Sequence, residues 1–332
     1  MPLVSVIIAN YNHAPYLDRA IRSLLDQTWP HMEVIVVDDN STDATPEILR
    51  KYEGEPRVRV LCQENQGLAR TRNNGIAIAR GEYIGFLDAD DYFAPEKIEK
   101  QVLVLQNNPE YDWVYCDMQQ VHPDGSFFDD YSIGKARPIV RGDILPSLLI
   151  GGYFPPHVAL VRRSLLEEVG VFTPDLDGHA DYDLWMRAAA RGKQVYYLDE
   201  RLAYYTRQPG SMSTDWDHMS ETRLAALTRL AEQFPGPLAR SLETLFRHVV
   251  GLTGAANSLS EALRSAEEEK REENPPPPPP PERSPEEEEN ARLYREEVVR
   301  RRRITRSLVW KIATPFFKLE RAIWARRRQK KR

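Results

Sequence analysis

The chain has 332 residues, 41 % hydrophobic and 29 % charged, enough for one large or two small domains with a true core. Its formal net charge is −5, but residues 291–332 hold 16 Lys+Arg against 3 Asp+Glu, so a basic tail follows an acidic body. No 18 consecutive apolar residues occur, so no segment reads as a membrane-spanning helix.

Val4–Ala9 reads as a strand followed by a polar turn rather than as a signal peptide. Cys62 and Cys116 form no metal-ligand spacing, and a reduced cytoplasmic setting is expected. Tyr16, Ala20, Leu24 and Leu25 mark a helical face after the first strand. Then come a strand over Glu33–Asp38, a short helix over Thr45–Tyr52 and a strand over Arg57–Cys62. A helix over Leu68–Arg80 and a fourth strand over Tyr83–Asp88 follow. Pro95 opens a helix over Glu96–Gln106 from the favoured first-turn position. Such alternation predicts an α/β fold with parallel strands and right-handed crossovers. No G-x-G-x-x-G follows the first strand, so a dinucleotide-binding fold lacks its main signature.

Beyond residue 110 the pattern is mixed. Tyr111–Asp117, Val158–Arg162, Val195–Leu198 and Ala203–Arg207 read as strands, and Arg163–Val169 and Tyr182–Arg191 as short helices. Asp217–Phe234 and Pro237–Ser265 read as longer helices covering the body. Residues 267–290 are acidic and contain seven consecutive prolines, Pro275–Pro281, an extended spacer rather than a core element.

The run YIGFLDAD (83–90) delivers Asp88 and Asp90 at a strand's carboxyl end, and Asp91 follows. Residues two apart on a strand share a face, about 6–7 Å apart. Open α/β sheets bind ligands in the crevice beyond those ends. Two convergent acids there are costly unless a cation or a hydrogen-bonded ligand compensates them. A divalent metal carrying a phosphorylated substrate suits that place. Asn10 and Asn12 in ANYNHAPYL (9–17) read either as turn and cap residues or as ligand contacts. Asp38 and Asp39 leave the second strand, and Ser41, Thr42 or Asp43 can cap the next helix. In a parallel sheet these three strand ends face one crevice. Arg70 and Arg72 read as phosphate-neutralising groups, with Gly67 allowing close backbone approach, or as a solvated helix face.

The stretches VSVIIANYN, VIVVDDNSTD, NQGLARTRNNGIAIARGEYIGFLDADD and VGVFTPDLDGHADYDLWMRAAARG span roughly residues 3–207. In that order they closely resemble the family 2 glycosyltransferases of the GT-A fold. The resemblance implies a Rossmann-like, mostly parallel sheet flanked by helices. The GT-A catalytic domain would span 1–215, with a nucleotide-sugar half over about 1–120 and an acceptor half over about 121–215. A helical extension (216–266), the proline-rich linker (267–290) and the basic tail (291–332) would follow.

The implied donor is a nucleotide-sugar, a UDP-sugar in most relatives, and the acceptor a carbohydrate or lipid-linked hydroxyl. By resemblance Asp39 accepts a hydrogen bond from the base, and Asn10, Asn12 and Arg72 complete the donor contacts. Asp90 is the direct Mg²⁺ or Mn²⁺ ligand, and Asp88 meets the ribose or a metal-bound water. Aligning GHADYDLWMR (178–187) on Leu-Trp-x-Arg puts Asp181 at the position of the general base, with helix capping as its alternative role. Ala180 stands where a Glu is usual, which touches acceptor type more than chemistry. Trp185 reads as core or acceptor shelf and Asp183 as helix face. His179 reads as a substrate contact or a solvated loop residue, and His157 aligns with the acceptor pocket.

Arg207 reads as a diphosphate contact, but Gln208 follows and the family's aromatic-Arg-x-His histidine is missing. The Q-x-x-R-W signature of processive synthases is also absent, which favours single additions. One base and in-line attack imply inversion at the anomeric carbon. A nucleotidyltransferase and a degenerate sugar-nucleotide binding module are the rival readings.

In the tail, Val298, Ile304, Leu308, Ile312, Phe316, Leu319 and Ile323 recur mostly at helical spacing, with Pro315 as a kink and Trp310 and Trp324 suited to an interface. A basic amphipathic helix on anionic lipid follows, peripheral at the inner face of the plasma membrane. Docking on the acidic body and a disordered arm are the competing readings, and no nucleic acid partner is expected.

Overall fold

Runs of Val and Ile without polar alternation form the middle of one sheet, because a strand covered on both faces has no solvent side. The structure, a computed structural model, describes residues 1–128, 133, 141–150, 154–176, 178–208 and 216–245 apart from 243. Its strands are β1 (Val4–Asn10), β2 (Met32–Asp38), β3 (Val58–Cys62), β4 (Tyr83–Asp88), β5 (Tyr92–Phe93), β6 (Trp113–Val121), β7 (Ala159–Arg162) and β8 (Val195–Thr206). They lie in the order β3-β2-β1-β4-β7-β6-β8-β5.

The first four strands pair in parallel, as the alternation predicts. Next, β7 runs antiparallel to both β4 and β6, β8 is parallel to β6, and β5 is antiparallel to β8. The sheet is therefore mixed beyond its first four strands. The two strands expected over Val195–Arg207 are one. A register shift around Asp117 lets β8 absorb the polar residues Asp199–Arg201 that interrupt its pattern.

The helices are α1 (Ala14–Leu25), α2 (Thr45–Arg50), α3 (Leu68–Ile78), α4 (Lys97–Asn107), α5 (Leu145–Leu149), α6 (Arg163–Val169), α7 (Ala180–Ala190) and α8 (Trp216–Gln233). Leu17 and Ile21 complete the buried face of α1, with Tyr16 and Leu25 at its margins. Pro95 lies outside α4, and its carbonyl accepts the Thr28 amide at 2.9 Å. Gly81 is required where the chain enters β4, since a Cβ there would stand 2.5 Å from Ser5 N.

The proline spacer, the basic tail with its membrane contact, and the later part of the Pro237–Ser265 helix lie outside the described residues. Among the described residues no helix is long and apolar enough to cross a membrane.

Candidate active site

Parallel pairing sets three strand ends side by side. Asn10 of β1 pairs with Asp38 of β2, and Ala9 pairs with Asp88 of β4. Asn10, Asp38, Asp39 and Asp88 thus gather at the carboxyl edge, where such sheets receive ligands.

Asn10 is buried and works inward. Its Nδ2 donates to Asp38 Oδ1 at 2.8 Å, Ser41 Oγ at 3.1 Å and Thr45 Oγ1 at 3.2 Å. Its Oδ1 has no hydrogen-bond partner among the described residues. Asn12 is exposed in the left-handed region at φ 56, and its Oδ1 accepts the Thr42 amide at 2.8 Å. Asp43 accepts the Thr45 amide at 3.0 Å and the Ala14 amide at 2.9 Å, so one carboxylate serves the first turns of α2 and α1.

Asp39 shapes the loop before α3. Oδ1 accepts Gln63 Nε2 at 2.7 Å and the Gln66 amide at 2.8 Å, while Oδ2 accepts the Gly67 amide at 2.9 Å. Gly67 holds φ 83 to present that amide. A carboxylate takes about four donors, which leaves one position on Oδ2 for a ligand N–H.

The acid turn is held from several elements. Arg72 of α3 is buried 2.5 Å from Asp88 Oδ1, with its guanidinium 5.4 Å from the Phe172 ring centre. Its charge, expected to meet phosphate, is committed first to Asp88. Arg70 is exposed on the same helix, the solvated alternative. The Asp90 carbonyl accepts Thr206 Oγ1 at 2.6 Å and Arg19 Nη2 at 3.0 Å, and its Oδ2 accepts Gln208 Nε2 at 2.8 Å.

Asp91 points into the core. Its Oδ1 accepts the Thr206 amide at 2.7 Å, and its Oδ2 lies 3.1 Å from Nδ1 of the buried His157. That contact falls off the hydrogen-bond line, which leaves Asp91 Oδ2 and both imidazole nitrogens without hydrogen-bond partners among the described residues. His157 stacks on Tyr205 with 5.7 Å between ring centres, beneath the turn rather than in an open acceptor pocket.

Burial opposes the Asp88 charge, but Arg72 outweighs it and holds the carboxyl below its usual range. Asp90 is raised by burial and then by the Asp88 charge. Asp91 is raised well above the usual range by burial, then Asp90 and Asp88. Burial lowers His157 to about 4. Adjoining acids raised by burial and by one another favour a nearby positive charge. Asp88, Asp91 and His157 offer ligand atoms within 4.8 Å of one another. With their unpartnered atoms, this oxygen-rich set fits a hard divalent cation such as Mg²⁺ or Mn²⁺. Asp90 stands beside that cluster with its carboxylate on Gln208.

The helix carrying the expected base starts at Ala180, so Asp181 is its second residue rather than its cap. Asp181 is buried, and its Oδ1 accepts the Tyr182 amide at 2.8 Å. His179 is no solvated loop residue. It is buried with Nδ1 2.9 Å from Thr222 Oγ1 of α8, and burial, then Arg223 and His218, lowers it to about 4. Asp183 leaves the helix face for the interior, accepting Thr173 Oγ1 at 2.7 Å and Arg187 Nε at 2.8 Å. Trp185 is core, its Nε1 3.3 Å from the Phe154 carbonyl and its ring edge-on to Trp113. Arg207 turns its guanidinium to the Phe128 ring at 5.4 Å.

A short chain of contacts links α7 and the acid turn. The backbone of Phe172 bonds the Asn73 side chain at 2.8 and 3.0 Å, its ring faces Arg72, and the next residue, Thr173, holds Asp183.

The family model described as Glycosyl transferase family 2 matches residues 5–170, half of the chain. The chain belongs to this family. TuaG of Bacillus subtilis (strain 168), named as a teichuronic acid biosynthesis glycosyltransferase, is 32 % identical over 226 residues, covering 67 % of this chain and 86 % of TuaG. Two longer curated relatives are matched over 19 % of their length.

Among solved structures, S. aureus TarS 1–349 in complex with UDP-GlcNAc superposes with a TM-score of 0.56 at 24 % identity, over 70 % of this chain and 67 % of that one. The mannosyltransferase PcManGT from Pyrobaculum calidifontis, in complex with GDP-Man and Mn²⁺, gives 0.54 at 22 % identity, over 82 % and 81 %. These likenesses show the fold, GT-A. In this family 2 glycosyltransferase, Arg19, Thr206 and the contact of Asp91 with His157 were missed by sequence reasoning. No local pattern marks them, since each reaches the acid turn from a distant element.

Proposed function

We propose that this glycosyltransferase moves a sugar from a nucleotide-sugar, a UDP-sugar, to an acceptor hydroxyl with inversion, in the synthesis of a cell-surface polysaccharide or glycolipid. The observation that carries the reading is the in-register meeting of Asn10 with Asp38 and of Ala9 with Asp88 at one sheet edge. Asp39 accepts the base N–H at its remaining Oδ2 position, and Asn10 Oδ1 and Asn12 flank the donor. Asp88 and Asp90 hold a Mg²⁺ or Mn²⁺ ion with Asp91 and His157 close by, and Arg72 keeps Asp88 ionised. When bound, the cation offsets charge on the departing nucleoside diphosphate.

Asp181 removes the proton of the acceptor hydroxyl, which attacks the anomeric carbon opposite the diphosphate. Residues 1–215 form the catalytic domain, and the tail over 291–332 brings it to anionic membrane bearing a lipid-linked acceptor. Neighbours named as complexes with UDP-GlcNAc and with GDP-Man and Mn²⁺ support the donor class.

The test pairs a panel of sugar nucleotides and Mn²⁺ with the full chain and with Asp181→Asn. The wild type is expected to release nucleoside diphosphate, and the variant to keep UDP affinity while losing about 10²-fold or more in turnover. Release of sugar 1-phosphate in place of nucleoside diphosphate, surviving Asp181→Asn, would instead identify a nucleotidyltransferase. No turnover with any donor would leave a binding module.

A further inference from the structure

Asp181 lies in the first turn of α7, and α8 grips that turn on both sides of it. His179, the residue preceding α7, turns its buried imidazole to Thr222 of α8 rather than to an α7 amide. Nδ1 lies 2.9 Å from Thr222 Oγ1. A hydroxyl has one hydrogen, and Thr222 gives it to the His218 carbonyl at 2.9 Å within α8. Thr222 Oγ1 therefore accepts from the imidazole, and Nδ1 carries its proton. Burial keeps the ring neutral near pH 7 by lowering it to about 4. Just past Asp181, Tyr182 is buried with the Arg223 guanidinium 5.3 Å from its ring centre. Its hydroxyl donates to the Leu148 carbonyl of α5 at 2.6 Å, and its ring meets that of His179 edge-on at 5.7 Å.

We propose that α8 belongs to the catalytic apparatus although it follows residue 215, with Thr222 a positioning residue that fixes Asp181 through His179. This rests on the reading of Asp181 as the general base. The first turn of a helix has amides without intrahelical partners and frays unless a contact from outside holds it. For α7 that hold comes from α8 through His179 and Tyr182, the residues that bracket Asp181. A general base acts only within hydrogen-bond reach of the proton it removes, and a displacement of about 1 Å can cost roughly 10²-fold. A loosened first turn therefore lowers turnover without touching the donor crevice.

The test uses the full chain with the donor and acceptor on which the wild type turns over. Thr222→Val removes the hydroxyl while keeping the branched shape. Its kcat is expected to fall about tenfold, with donor KM and UDP affinity unchanged. Thr222→Ser, which keeps the hydroxyl, should recover most of that loss. His179→Phe breaks the same hydrogen bond from its other partner and should show the same split. In the Asp181→Asn background Thr222→Val should cost nothing further, because Thr222 acts only through Asp181. Thermal melts establish that each variant is folded, and if Thr222→Val is not, His179→Phe decides. A parallel loss of UDP affinity, a loss that serine does not recover, or a further loss on top of Asp181→Asn marks a merely structural contact and overturns the inference. If the wild type turns over no donor, or Asp181→Asn is as active as the wild type, the reading of Asp181 falls and takes this inference with it. If Asp181→Asn is inactive while Thr222→Val and His179→Phe match the wild type, only the role of Thr222 is lost.

Discussion

Asp88 is paired across the crevice wall with Arg72, Oδ1 to Nη2 at 2.5 Å, the arginine almost wholly buried and the acid 28 % exposed. Arg72→Met leaves the carboxylate without its cation, so the Asp88 pKa rises and stability at neutral pH falls by about 2–3 kcal/mol. That is less than the full cost of breaking a buried pair, because water reaches part of Asp88. The sign follows from linkage. A carboxyl held below its unfolded pKa contributes stability above the unfolded value, and loses it as pH falls through the folded one. Urea denaturation should show the gap between wild type and variant at pH 7 closing in acid.

Asp39 serves the loop and, in our reading, the base. In Asp39→Asn an NH₂ replaces one carboxylate oxygen and faces the amides of Gln66 or Gly67, donor against donor. Stability is expected to fall by about 1–3 kcal/mol and UDP affinity by roughly tenfold or more. Thermal melts and calorimetric titration with UDP check both. Unaltered UDP affinity would remove Asp39 from the nucleotide site.

Lys97 is fully buried at the start of α4, its Nζ 2.8 Å from Gln101 Oε1 and 3.9 Å from the Phe93 ring centre. Burial brings its pKa down from 10.5 to about 8. Between those values the unfolded chain binds the proton and the folded protein does not, so stability rises with pH across that window. Below it, the buried charge costs up to about 3 kcal/mol. Lys97→Met should abolish this slope. The wild type is expected to gain on the variant from pH 8 to 10.5, read by urea midpoints at constant ionic strength.

Much of the first four strands was legible from residues alone. Continuous β-branched runs and the turn residues after them defined β1, β2 and β4, because those preferences act within a few residues. The same runs carried Asp39, Asp88 and Asp90 to the strand ends, and the Leu-Trp-x-Arg run located α7. The phase of α1 was read less well, since Tyr16 and Leu25 border the apolar face that Leu17 and Ile21 fill. The reversal of β7 and the continuity of β8 were not legible either. Strand direction depends on which edge a later strand finds, and an internal bulge imitates a turn.

Only tertiary packing decided which side chains meet the acids. Arg72 was a candidate for phosphate until the fold set it on Asp88. Gln208, Arg19 and His157 reach the turn from β8's end, α1 and the segment before β7. Which strand ends in acid is a local matter of backbone preference and hydrophobic pattern. Whether that acid is met by an arginine, an amide or an imidazole is set by the packing of elements far apart in the chain, and no local spacing encodes it.

The acid-bearing edge could be expected from a dozen residues, whereas its charge balance exists only once the sheet, α1, α3 and the end of β8 have closed around it.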